Sequence, residues 1–143
     1  MNDQHRLSFQ LEIVTPEKSI LTDQVNLVSV PAKTGRLGIL ARHTPLFAQL
    51  TEGEVKISKN NQNMFLSIGA GYVEVTKEKV LVLVSRAFHA DALNKQEIIH
   101  AKEQAEAALR QKPTGQALTI AHIALRQSLV DLQILRRRRK KST

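Results

Sequence analysis

Eleven residues, Gly35-Arg36-Leu37-Gly38-Ile39-Leu40-Ala41-Arg42-His43-Thr44-Pro45, hold the residue types from which a phosphate cradle, a metal site or a nucleic-acid clamp is built. A phosphate loop needs its glycines to run into a helix N-terminus. Gly69-Ala70-Gly71 fails that test too, since it leads into the strand-like Tyr72–Val75. Glu97-Ile98-Ile99-His100 has the Glu-x-x-His spacing that sets two ligands on one helix face. A di-iron bundle needs that motif twice, with further glutamates, on four helices. Here it occurs once. His89 and Asp91 are close enough to pair, yet nothing completes a triad and no Gly-x-Ser-x-Gly elbow exists. His5, His43 and His122 stand apart from any partner set, and the absence of cysteine removes thiol chemistry, disulfides and cysteine zinc sites. The sequence therefore predicts no catalytic residues, no metal, no nucleotide and no cofactor.

The 143 residues suffice for one domain, or one domain and an appendage, and 42% apolar content is that of a globular protein. No apolar run approaches the ~20 residues of a membrane span. The opening MNDQHRLSFQ lacks the apolar core of a signal peptide and the Arg/Ser-rich, acid-poor character of a transit peptide. The net charge of +8 is concentrated: Arg136, Arg137, Arg138, Arg139, Lys140 and Lys141 supply six positive charges, leaving +2 for the rest. Such a tail reads either as a solvated, solubilising end or as a contact for an acidic partner. With the Gly35-x-x-Gly38 spacing it also permits a small nucleic-acid-binding module, although four Phe and one Tyr leave little for base stacking.

The elements that must position these residues fall into two halves. Up to about residue 85 the period is two. Leu7, Phe9, Leu11 and Ile13 alternate with polar residues, as do Val55 and Ile57 after Gly53. Val28 and Val30 lead into Pro31, which is expected to end or edge a strand. Asn60-Asn61-Gln62-Asn63 and Lys77-Glu78 read as turns between strands, the latter joining Tyr72–Val75 to Val80–Val84. Short strands at this spacing predict an antiparallel sandwich or barrel.

After Ser85 the period becomes helical. Ile98, Ala101, Ala105, Ala108 and Leu109 form one stripe. Lys112-Pro113-Thr114-Gly115 breaks the pattern, and a second helix runs from about Gln116 into the basic tail, predicting an antiparallel hairpin. That helix is apolar on two sides, one with Leu118, Ala121, Leu125, Leu129 and Leu132, the other with Ile120, Ile123, Ala124, Val130 and Ile134. One side packs on the first helix; the other meets the sandwich or another chain.

The series Gly35-x-x-Gly38-Ile39-Leu40-x-x-His43-x-Pro45-Leu46, then Leu50-x-x-Gly53, resembles the signature of the epsilon subunits of F-type ATP synthases. Gly71-Tyr72-Val73-Glu74-Val75, Val80–Val84 and the alanine-rich hairpin follow in that family's order. The resemblance implies a β + α fold: an antiparallel β-sandwich of about ten strands over residues 1–88, then a two-helix hairpin over 89–143. It further implies a non-catalytic rotor subunit, peripheral to the cytoplasmic face of a bacterial inner membrane. The sandwich would bind the gamma subunit and the c-ring, coupling proton flow to ATP synthesis. The helices would reach the alpha and beta subunits of the catalytic head and restrain ATP hydrolysis. On that reading Gly35, Arg36, Gly38, His43 and Pro45 shape a docking loop facing the c-ring, with His43 a hydrogen-bonded organiser. Ile120, Ile123, Val130 and Ile134 form the regulatory stripe, while Arg126 and Arg136 to Lys141 meet acidic loops of the head.

Two departures stand out. Some bacterial relatives bind ATP through an Ile/Leu-Asp-x-x-Arg-Ala motif, whose best counterpart here is Leu93-Asn94-Lys95-Gln96-Glu97-Ile98. Asn94 replaces the acid and Glu97 replaces the arginine, so the charge offered to phosphate is inverted. Ser85-Arg86-Ala87-Phe88-His89 also differs from the acidic, alanine-rich junction common in the family.

Overall fold

The computed structural model describes the backbone of residues 7–141 and side chains as far as Arg138. Two compact units divide the chain, residues 1–89 and 90–143. The first holds ten strands: β1 (Phe9–Val14), β2 (Ser19–Val25), β3 (Leu27–Ala32), β4 (Gly35–Leu40), β5 (Leu46–Leu50), β6 (Gly53–Lys59), β7 (Gln62–Ile68), β8 (Gly71–Val75), β9 (Lys79–Val84) and β10 (Ala87–His89). They form one sheet in the order β10-β7-β6-β3-β5-β8-β9-β1-β2, with β4 on β3. The pairings are antiparallel except β1 with β9, which is parallel. The sheet folds over on itself as a nearly closed sandwich, and its β2 edge is drawn toward β6, inside the other end of the sheet, where Lys59 meets Asp23 at 2.8 Å. That ammonium holds the Asp23 carboxyl below its usual range. Alternation places Leu11, Ile13, Val28, Val30, Ile39, Val55, Leu66, Val73 and Val82 inside with essentially no exposure.

The predicted turns form with defined chemistry. Asn60 and Asn61 both take positive φ (51° and 65°), the requirement of a two-residue type I′ hairpin, so Gln62 and Asn63 already belong to β7. Pro31 neither ends β3 nor lies on a free edge. Leu27, Val28 and Ser29 pair with β6, whereas Ala32 pairs with Leu50 of β5. Pro31 stands at the change of partner, where the ladder is interrupted and a missing N–H costs little; its carbonyl accepts from Thr51 N at 2.9 Å. β10 carries the sandwich through His89, which pairs with Leu66, one residue past the boundary expected from the sequence.

In the second unit a short 3-10 turn (Ala90–Ala92) precedes α1 (Lys95–Arg110) and α2 (Gly115–Lys141). Asn94 caps α1, its Oδ1 accepting from Gln96 N and Glu97 N at 3.0 and 3.2 Å. Lys112 at φ 53° and Gly115 at φ 61°, around Pro113, reverse the chain. The seam of α1 is Ile98, Lys102, Ala105 and Leu109, at spacings of four, three and four; Ala101 and Ala108, expected in the stripe, are exposed. The matching seam of α2 is Leu118, Ala121, Leu125, Ser128 and Leu132, with Leu129 46% exposed instead. The 3-4 repeat selects these positions over a straight count of alanines and leucines, because it keeps one face toward the partner. Lys102 is half-buried at this position, as a long side chain whose stem is apolar and whose head is charged can be.

Gly71 gives a test of the sandwich. A Cβ there would lie 1.9 Å from the Leu83 carbonyl oxygen and 2.7 Å from Val84 Cα, both backbone. Gly71→Ala should destabilise by about 1–3 kcal/mol. Gly38→Ala, whose Cβ meets only Leu27 at 4.0 Å, should change stability by less than about 0.5 kcal/mol. Urea denaturation midpoints of the two variants check this.

Candidate functional site

The expected docking loop is not one loop. Gly35, Arg36 and Gly38 lie on β4, which pairs with β3 along its whole length, and only His43 and Pro45 lie in the connection to β5. Leu37 and Ile39 point inward, and that alternation outweighs the turn propensity of the two glycines. Gly35, at φ 134° beside the exposed tip Lys33-Thr34, needs to be glycine; Gly38 has no such requirement. Six strand residues span roughly 17 Å, so Gly35 and Arg36 sit at one end of the sandwich and His43 and Pro45 at the other. Arg36 donates to Ser29 Oγ at 2.9 Å and to the Glu54 carbonyl at 2.6 Å.

At the His43 end, Arg42 takes φ 64° and His43 N donates to the Leu40 carbonyl at 3.3 Å. His43 Nδ1 lies 2.8 Å from the Thr44 carbonyl oxygen, which can only accept, so Nδ1 carries the proton. The half-buried ring is thus tied to its own loop. Residues Arg42 to Pro45 and the turn Thr76–Lys79 line a cleft of about 340 Å³. Lys79 there is paired with Glu12 at 2.7 Å, which raises its pKa. The cleft holds no nucleophile–base pair.

A surface that sequence reasoning missed lies on the outer face of β5, β8 and β9. Phe47 is 65% exposed and stacks on Tyr72 with ring centroids 5.2 Å apart; Tyr72 is cross-strand from Leu83, itself 43% exposed. Leu81 continues the face beside Glu74. The signal was in Lys79–Val84: KVLVLV does not alternate, as in a strand meant to be covered on both sides. The fold itself covers only the Val80/Val82/Val84 side.

The α2 stripe is divided. Ile120 and Ile123 are 65% and 42% exposed, Val130 is half-buried and Ile134 is 1% exposed. Gln127 and Asp131, on the same face as Ile134, are buried and polar, with Gln127 Nε2 3.5 Å from Asp131 Oδ1. Among the predicted basic residues, Arg126, Arg136 and Arg137 are exposed, and Arg138 pairs with Asp91 at 2.7 Å. The side chains of Arg139, Lys140 and Lys141 lie outside the described residues. Among the described residues no group of His, Cys, Asp and Glu is arranged to hold a metal, and no helix is long and apolar enough to cross a membrane.

Residues 8–90 match a family described as the ATP synthase Delta/Epsilon chain, beta-sandwich domain. The chain belongs to the ATP synthase delta/epsilon family. The likeness continues beyond the sandwich: the ATP synthase epsilon chain of Herpetosiphon aurantiacus is 39% identical over 94% of this chain and 99% of its own length. That of Chloroflexus aggregans is 35% identical over 90% and 92%. Among solved structures, one of a Euglena gracilis mitochondrial ATP synthase (OSCP/F1/c-ring) contains a chain matching at TM-score 0.72 and 21% identity, covering 82% of this chain and 75% of that one. That likeness bears on fold. Members named epsilon chain are non-catalytic subunits, so the absence of a catalytic constellation is a property of the family.

The nucleotide motif of some relatives coincides here with the cap of α1. Asn94 Oδ1 is committed to two backbone amides, and Glu97 places a carboxylate in the first turn, which repels a phosphate approaching this end of the helix. Titrating ATP into the full chain should therefore give a Kd no tighter than ~1 mM; micromolar heat signals would contradict this.

Proposed function

We propose that the chain is the epsilon-type subunit of the central stalk of a bacterial F-type ATP synthase, peripheral to the cytoplasmic face of the membrane. In this role it helps couple proton flow to ATP synthesis without catalysing a reaction. The observation that carries the reading is likeness along nearly the entire length of epsilon-chain relatives, combined with an exposed apolar sheet face.

The sandwich docks on the gamma subunit through Phe47, Tyr72 and Leu83. Stacked aromatics with an adjacent carboxylate, Glu74, are typical anchors of a protein interface. The c-ring is met by the end carrying the β3–β4 tip. There Lys33, Thr34, Gly35 and Arg36 are all exposed, and β4 pairs on one side only. His43 and Pro45, at the opposite end, shape the sandwich and do not touch the ring. The helical hairpin restrains ATP hydrolysis by presenting Ile120 and Ile123, with Arg126 and the tail, to the alpha and beta subunits of the head. A stripe exposed near the turn, and flanked by the buried polar Gln127 and Asp131 where Ile134 is covered, suits a helix that exchanges surroundings.

Binding of the full chain to purified gamma subunit tests the first contact. Phe47→Ala with Tyr72→Ala should weaken it by at least ~10-fold, whereas Met64→Ala, an exposed apolar residue on β7, should not. In the reconstituted complex, Lys33→Glu with Arg36→Glu should reduce retention on the c-ring and His43→Ala should leave it intact. Unchanged gamma binding by the double alanine variant would refute the assignment of the face.

A further inference from the structure

The two helices of the hairpin are of unequal length. α1 has 16 residues and α2 has 27, so at 1.5 Å per residue they measure roughly 24 and 40 Å. They start from a common turn at Lys112–Gly115. The last ten or so residues of α2 therefore run past the beginning of α1. This overhang carries the whole basic cluster. It does not hang free of its own unit: Arg138 Nη2 lies 2.7 Å from Asp91 Oδ1, a contact 47 residues apart in sequence. Asp91 belongs to the 3-10 turn that immediately precedes α1.

We propose that Asp91 is a latch for the overhang of α2, holding the basic end in the compact hairpin in direct competition with any external acidic partner. In the compact hairpin Arg138 Nη2 is committed to Asp91, so an external carboxylate that takes this donor competes directly with Asp91. The pair is built to open: the Asp91 side chain is 83% exposed and that of Arg138 35%. In such a setting attraction is weak and screened by salt. A more buried pair would be harder to open. The inference has two parts. The latch itself stands on geometry within the helical unit. Its regulatory consequence rests on the reading, given above, that the tail acts on the catalytic head.

Two measurements separate those parts. Hydrogen exchange of the full chain alone reports the latch. Asp91→Asn should speed exchange of amides in the last described turn of α2 by up to about fivefold at low salt. Arg138→Gln should do the same, and the two together should do little more than either. Restoring the pair in reverse, Asp91→Arg with Arg138→Asp, should recover protection. ATP hydrolysis by the reconstituted complex reports the consequence. Asp91→Asn should lower it by up to about fivefold at low salt, with the effect fading at high salt. Replacing Arg136 to Lys141 together by Ala should raise it, the extended-to-compact ratio falling by about five- to 150-fold. If Asp91→Asn leaves exchange unchanged, the latch is refuted. If exchange responds but neither variant alters hydrolysis, the latch stands and the inhibitory role of the tail is refuted.

Discussion

β3 has to satisfy three neighbours at once, and the sandwich depends on how it does so. Its first three residues pair with β6, its last with β5, and its opposite edge with β4. The partner change falls at Pro31, the residue with least to lose there. This division lets one continuous sheet bend into two layers while Val28 and Val30 remain wholly inside. It also fixes which faces are left over. β5, β8 and β9 turn Val73, Val75, Val80 and Val82 into the core, so Phe47, Tyr72 and Leu83 must face outward. The exposed aromatic pair is thus a consequence of closing the core with valine.

The helical unit obeys a different constraint. A 27-residue helix cannot be spanned by one of 16 residues, and the run of like charges falls in the length that extends beyond α1. Six adjacent cations repel one another and favour extension into solvent or toward an acidic surface. Opposing this are the seam of small and aliphatic residues and the Asp91 pair. The buried polar residues Gln127, Ser128 and Asp131 weaken apolar packing along α2.

Much of the fold was legible because the periods of two and 3.6 are strongly marked. The strands β1, β6, β8 and β9, the Asn60-Asn61 turn and both helices follow from alternation and turn chemistry. β2 was missed because Ser-Ile-Leu-Thr-Asp-Gln-Val does not alternate cleanly. β4 was missed for a subtler reason. Glycines three apart, followed by His-Thr-Pro, look like a loop, and only the pairing with β3 shows that Leu37 and Ile39 form a strand face. The same misreading joined Arg36 and His43 into a single site, although a strand separates them. On the helices, counting alanines selected Ala101 and Ala108, while packing selected Lys102 and Ser128. Side chains that bury only a stem or a small hydroxyl carry no hydrophobic signal. The outward Phe47 face was readable in principle from the unbroken apolar run of β9, but only once its covered side was known.

Removing the helical unit tests the division of labour most directly. Residues 1–89 contain the whole sandwich core, so this fragment should fold, as judged by circular dichroism. Built into an ATP synthase lacking the full chain, it should restore assembly and ATP synthesis while leaving ATP hydrolysis less restrained than with the intact subunit. A fragment that folds yet fails to assemble, or one that restrains hydrolysis as fully as the intact chain, would contradict the account.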